Sequence, residues 1–217
     1  MKQSRILISA PLLSVLLTSC TTMTSPTPPS SAVAAPGVPV TVTPKLNPQM
    51  TWDARKKILQ AINTWRISGK IAVRTPQESG SASINWSQQG SQYQVSLMGP
   101  LGANGMKLAG GPGHVVMTTA NGKHFSAPSA EQLLSKQWGY HIPISSLRYW
   151  VRGLPVTGVP FNARYDQSNR ITSLVQSGWN VQFAGYALQG GVELPMKVFA
   201  TSQAMDAKIM IYNWQIG

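Results

Sequence analysis

The sequence predicts a mainly β domain of the α+β class, built as a curved antiparallel sheet or partial barrel with short helices over one face. Three features predict it. Beyond Trp65, apolar residues recur at every second position in short runs. Turn-forming pairs such as Gln89-Gly90 and Asn121-Gly122 separate those runs. Helical spacing is confined to one stretch before the first strand and two in the middle of the chain. Strands that follow one another through short turns pair antiparallel, and helices inserted among them cover one face or one mouth of the sheet.

The first element reads as an export signal spanning residues 1–19. Lys2 and Arg5 form a positive start, Ile6 to Leu17 an apolar run of 12 residues, and Leu17-Thr18-Ser19-Cys20 brings small residues up to the one cysteine. That run is too short to span a bilayer as a helix and has signal-peptide proportions. Its ending matches a lipobox, which makes Cys20 the expected lipidation site and the protein an expected lipid-anchored one. Residues 20–48 are rich in Thr, Ser, Pro and Ala, and Pro26, Pro28, Pro29, Pro36, Pro39, Pro44 and Pro48 break any helix. The stretch is expected to be a tether, and residues 49–217 the folded domain.

Within the domain, Thr51 is placed to cap a helix with Asp53 in its first turn and Ile58, Leu59, Ile62 and Trp65 as its apolar stripe. Lys56 and Lys57 fall on the solvent side. The period then changes to two. Ile67, Gly69, Ile71 and Val73 alternate with polar residues, as do Ala82, Ile84 and Trp86 and then Tyr93, Val95 and Leu97. Further strands are expected at Met106–Leu108, Val115–Met117, near Phe125, and at Phe161–Tyr165, Ile171–Val175, Trp179–Phe183, Met196–Phe199 and Lys208–Ile216. The total is about ten or eleven. Between them, Ser129 and Gln132 form a capping-box pattern ahead of Leu133, Leu134 and Trp138, with Gly139 as a stop. Pro143 opens a second short helix, Ile144 to Arg152, which carries Leu147, Trp150 and Val151 and ends at Gly153.

Local signatures of catalysis are missing. Gly80-Ser81-Ala82-Ser83-Ile84 has the serine of a nucleophile elbow in the wrong place and reads as a strand. His114, His124 and His141 lie apart without metal-type spacing, and the six carboxylates are dispersed. The glycine-rich segment from Gly99 to Gly113 does not end in the Gly-Lys-Ser/Thr of a phosphate loop. No enzyme activity, catalytic residue, metal or cofactor is therefore expected. The chain carries 18 Lys and Arg against 6 Asp and Glu, and removal of the export segment with Lys2 and Arg5 would leave a net charge of +10. For an exported protein the anionic surface at hand is a phospholipid headgroup layer and not nucleic acid. Scattered basic residues also serve solubility alone. Seven tryptophans and nine methionines supply apolar surface. A curved sheet with few covering helices cannot close over all of it, and an open remainder becomes a pocket for acyl chains.

Several segments in order resemble the LolB family of outer-membrane lipoprotein receptors: Trp65-Arg66-Ile67-Ser68-Gly69-Lys70, Ile84-Asn85-Trp86-Ser87-Gln88, Gly99-Pro100-Leu101-Gly102, Trp138-Gly139-Tyr140-His141-Ile142-Pro143, Leu147-Arg148-Tyr149-Trp150-Val151-Arg152-Gly153-Leu154-Pro155 and Gln176-Ser177-Gly178-Trp179. The resemblance implies a half-open antiparallel β barrel whose helices form a lid around an apolar cavity. The cavity would take acylated lipoproteins from the periplasmic carrier LolA and release them into the outer membrane, facing the periplasm. Cargo lipoproteins, LolA and outer-membrane phospholipids are the partners it implies, for a chain expected to act as a monomer. Ile71, Trp86, Val95, Leu97, Trp150, Trp179 and Phe183 are the expected cavity wall. Leu101, which burial statistics alone would fold back onto the core, becomes by resemblance an exposed leucine that enters the bilayer. A lipid-modifying hydrolase and a structural lipoprotein with a filled barrel are the competing readings.

Overall fold

The computed structural model describes residues 50–100, 105–139 and 141–217. The expectations for Cys20, the tether and Leu101 lie outside them. Thirteen strands and three helices follow one another: α1 (Trp52–Ala61), β1 (Thr64–Arg74), β2 (Ser79–Gln89), β3 (Gln92–Met98), β4 (Met106–Gly111), β5 (His114–Thr119), β6 (His124–Ala127), α2 (Ala130–Trp138), α3 (Ile144–Trp150), β7 (Asn162–Tyr165), β8 (Ile171–Gln176), β9 (Trp179–Ala184), β10 (Ala187–Gln189), β11 (Val192–Leu194), β12 (Lys197–Thr201) and β13 (Asp206–Ile216). Eleven of the strands form one antiparallel sheet in the order β6-β5-β4-β3-β2-β1-β13-β12-β9-β8-β7. β6 and β7 stand at its two edges, so the sheet is open.

Each of the eleven sheet strands overlaps a strand expected from the sequence. In β1, Trp65, Ile67, Gly69 and Ile71 are buried, with Arg66, Lys70 and Arg74 exposed between them. The pairing of β1 with β13 shifts between Ser68 and Gly69. A side chain at Gly69 would run into the Met210 carbonyl, so glycine is required where the two backbones approach this closely. The pair missed from the sequence, β10 and β11, makes a separate two-stranded hairpin around Gly190 and Gly191, both at positive φ. Gly-Gly between short apolar pieces was its signal, but three-residue strands are too brief to show a period.

The helix ends follow the sequence. The Thr51 side chain accepts from the Ala54 N–H, Ser129 accepts from Gln132, and Gly139 closes α2 in the left-handed conformation. Two members of the stripe expected for α1 are corrected, the first being Trp65, which stands in β1 because the helix ends at Ala61. Ile58 is exposed, and the buried residues of α1 are Leu59 and Arg55, with Ile62 buried at the C-cap. The inward stripe therefore runs through positions 55, 59 and 62 at helical spacing, its first place taken by an arginine because a carboxylate lies opposite (below).

α2 and α3 lie in the chain segment that leaves one edge strand, β6, and enters the other, β7. A connection between the two edges of a curved sheet must cross its open side. Leu133, Leu134, Leu147 and Trp150 on these helices join the inward side chains of the sheet in one hydrophobic core.

Candidate functional site

The candidate site is the concave face of the sheet together with the helices laid over it. Five of the seven residues expected to line it are buried: Ile71 at 5%, Trp86 and Val95 at 1%, Trp150 at 0% and Phe183 at 5% exposure. Leu97 and Trp179 are half-buried against the same core. Cross-strand register explains their assembly, since Ile67 pairs with Trp86, Trp86 with Val95, Ile84 with Leu97 and Phe183 with Val198. Two aromatic groups result. Trp65 stands 5.4 Å from Trp86 and 5.5 Å from Trp214 between ring centroids, and Trp150 stands 6.0 Å from Trp179. All are tilted, the geometry the ring quadrupole favours.

Buried indoles need acceptors, and two glutamines supply them to Trp86 and Trp150, while the Trp214 N–H has none among the described residues. The Trp86 indole N–H donates to Gln88 Oε1 at 3.1 Å, and Gln88 Nε2 in turn donates to the Gly90 carbonyl. Trp150 donates to Gln176 Oε1 at 3.3 Å. Gln176 also accepts from the Val156 N–H and donates to the Val156 and Val159 carbonyls, so one buried amide ties α3, the segment after it and β8 together. Gln88 and Gln176 stand in two of the segments that resemble the family, just past the expected strand runs, and nothing in their local sequence marks them as acceptors for an indole. The lining side chains carry so little accessible surface that the interior is occupied by protein in this conformation. An incoming chain has to displace side chains or helices.

Clefts open at the end of the sheet that carries the β1–β2, β3–β4 and β5–β6 connections. One of about 720 Å³ lies between Gly80, Gly105, Asn121, Lys123 and Phe125, with Met117 beneath and Gln137 of α2 at its side. Met98, 49% exposed, and Gly105 flank the 101–104 segment at this end. The two lid helices are tied to each other, because Glu131 of α2 accepts from both the backbone N–H and the hydroxyl of Ser145 in α3.

The end where α1 feeds β1 is built differently. Arg55 Nη2 lies 2.8 Å from Glu193 Oε2, Arg170 Nη1 2.8 Å from Glu193 Oε1, and Arg170 Nε 2.7 Å from Asp166 Oδ2. This network joins α1, the β10–β11 hairpin and the β7–β8 turn. Partial burial pushes the Asp166 carboxyl up, but hydrogen bonds from the Arg170 N–H and guanidinium and from Ser168 outweigh it and hold the group below the usual carboxylate range. Burial raises the Tyr186 phenol, whose hydroxyl donates to the Ile171 carbonyl at 2.6 Å. Arg152 is buried. Its Nη1 donates to the Leu59 and Ile62 carbonyls at 3.2 and 2.7 Å, satisfying the end of α1, and its Nε donates to the Arg148 carbonyl. Burial, countered by Tyr149 and reinforced by the neighbouring Arg148 cation, lowers its pKa to about 10, so it is a cation at neutral pH.

His124 Nδ1 lies 3.0 Å from the Thr118 hydroxyl and His141 Nε2 3.2 Å from the Ser135 hydroxyl. Among the described residues no three His, Cys, Asp or Glu side chains are grouped to hold a metal ion, and no helix is long and apolar enough to cross a membrane.

The profile of the family described as outer membrane lipoprotein LolB matches residues 63–214. The chain is 37% identical over 200 residues to the outer-membrane lipoprotein LolB of Pseudomonas syringae pv. syringae, covering 92% of this chain and 91% of that one. It is 36% identical over 165 residues to the protein of the same name from Pseudomonas aeruginosa strain LESB58, covering 76% and 80%. A putative outer membrane lipoprotein-sorting protein domain from Vibrio parahaemolyticus superposes with a TM-score of 0.50 at 8% identity, over 74% of this chain and 89% of that one, a likeness of fold alone.

Proposed function

This chain belongs to the LolB family of outer-membrane lipoproteins, and on that premise we propose how its domain receives and passes on acylated cargo. It is an outer-membrane lipoprotein receptor by that membership. In our reading the cargo comes from the carrier LolA, its acyl chains enter between the concave face of the sheet and the α2–α3 lid, and they leave into the outer membrane. The observation that carries this is the place of the lid: the connection between the two edge strands lies across the open side and packs there through side chains. It can be lifted without breaking one hydrogen bond of the sheet ladder. Ile71, Trp86, Val95, Leu97, Trp150, Trp179 and Phe183 form the wall that the chains meet. Cys20 carries the anchor, residues 20–48 are the tether of the domain at 49–217, and Leu101 enters the bilayer at delivery.

The energetics suit a passive hand-over. A 16-carbon chain in water is disfavoured by roughly 13 kcal/mol at about 0.8 per CH₂, so it must stay covered throughout. A preference of about 1.4 kcal/mol at each step from carrier to receptor to bilayer gives tenfold direction without a nucleotide.

The test is transfer of a lipoprotein from acyl-loaded LolA to the full-length protein, together with titration by a fluorescent fatty acid. Uptake should saturate, and Leu97→Asp and Trp179→Asp, at the half-buried wall positions, should reduce it in a protein that still folds. The packed interior taken alone favours a structural lipoprotein with a filled barrel. Binding that never saturates would establish that reading and defeat ours.

A further inference from the structure

Arg148 and Arg152 lie beside each other at the end of the sheet opposite the 720 Å³ cleft, and neither meets a carboxylate. Their Cζ atoms stand 4.8 and 5.6 Å from the centroid of the Tyr149 ring, which both share. Among the described residues the ion pairs are Arg55–Glu193, Arg170–Asp166 and Arg170–Glu193, so these two cations have no carboxylate within ion-pair distance. Glu131, whose charge also reaches Tyr93 as that of Arg148 does, is engaged by Ser145. Arg148 Nη2 donates to the Tyr149 hydroxyl at 3.0 Å, and its Nε is buried without any partner. The Tyr149 ring and the carbonyls that Arg152 meets offset part of the cost of two like charges side by side, but no anion among the described residues does, and the buried Arg148 Nε–H is left over.

They face a pocket. A cavity of about 360 Å³ lies among Arg148, Tyr149, Arg152, Asn63, Ser91 and Thr157. Its remaining wall carries no charge and mixes the polar Gln60, Gln88 and Gly90 turn with the apolar Ile62 and Trp65. The combination of guanidinium forks, amides and hydroxyls around a small space is the donor set that surrounds a tetrahedral oxyanion. The pocket opens where Ile62 and Asn63 lead from α1 into β1 and the β2–β3 turn comes round.

We propose that this pocket binds a phosphate group, presented either by a phospholipid headgroup or as the free ion. The receptor reading does not require it, because the acyl chains of that reading sit on the concave face.

The purified mature lipoprotein in nonionic detergent would be titrated by calorimetry, once with inorganic phosphate and once with the soluble headgroup diester sn-glycero-3-phosphoglycerol. Saturable heat with at least one of them is the expected result. Arg148→Gln should weaken it by about tenfold or more, and Arg148→Lys by less, since a point charge replaces a fork. Asn63→Asp, at an exposed position where the backbone carbonyl and not the side chain supports the Gly90 turn, gives the same readout should Arg148→Gln fail to fold. Tighter binding of the diester assigns the headgroup as the source, and binding of inorganic phosphate alone assigns the free ion. No saturable heat with either probe, or binding that both substitutions leave unchanged, overturns the proposal.

Discussion

The two ends of the sheet are fastened in different ways. At the end where α1 enters β1, Arg55, Glu193, Arg170 and Asp166 tie a helix, a hairpin and a turn together, and Arg152 holds the last carbonyls of α1. At the other end, Gly80, Gly105, Asn121, Lys123 and Gln137 stand around a cleft of about 720 Å³ with Met117 and Phe125 in its wall, and among the described residues no ion pair fastens it. Charged hydrogen bonds are directional and fail abruptly when displaced, whereas apolar contacts re-form after a slide. On the proposed route for an acyl chain, the domain is therefore expected to open at the end without ion pairs and pivot on the charged one.

The largest effect should come from removing the pivot. Arg152→Ala removes the guanidinium donor from the Leu59, Ile62 and Arg148 carbonyls, of which Leu59 keeps the Ile62 N–H, and opens a cavity among buried groups. We expect a loss of about 3 kcal/mol or more by denaturant unfolding, at about 1–3 per unsatisfied group. A loss under about 0.5 kcal/mol would show that the two ends do not differ in this way. Next comes Glu193→Gln, which removes the partner of both Arg55 and Arg170. Arg55 is then a buried cation without its counter-charge, but Glu193 is itself 35% exposed. Water screens part of the change, so about 1–3 kcal/mol is expected.

Acid should sharpen the contrast. The folded pKa of Asp166 lies below its ordinary value of 3.8, so its contribution is present above that value and lost as pH falls through the lower folded one. Stability measured from about pH 5 down to 2 should fall, and Asp166→Asn should flatten that fall. An unchanged slope would remove Asp166 from the pivot. The smallest effect on stability should come from Leu101. Leu101→Glu should shift unfolding by no more than about 0.5 kcal/mol, as for a side chain outside the core. It should leave acceptance from LolA intact and abolish incorporation into liposomes, because a carboxylate resists entering hydrocarbon. Strong destabilisation would instead return Leu101 to the core, and normal incorporation would end its role in the bilayer.

Local chemistry was readable in the residues. The alternation in Ile67, Gly69 and Ile71 or in Tyr93, Val95 and Leu97 marks a strand because neighbouring side chains must point to opposite faces. Thr51, Ser129 and Gly139 mark helix ends because unpaired N–H and carbonyl groups need partners within a few residues. The block from Leu147 to Pro155 and the other shared segments led to the family, whose profile spans residues 63–214.

What the tertiary structure decided depends on partners far away in the chain. Arg55 stands directly before Lys56 and Lys57 in the sequence, and only the return of Glu193, 138 positions later, makes it a buried residue. Gln176 follows the expected strand Ile171–Val175, and only the convergence of Trp150 and Val156 makes it a buried hub. The state of the interior belongs here too. Periodicity places Trp86, Val95 and Phe183 on the inward face, but whether the space between is empty or filled depends on how the lid helices pack across the open side. Side-chain direction repeats every two residues and is written in a short window of sequence. Packing density and charge pairing arise only when distant segments meet, and no short window contains both partners.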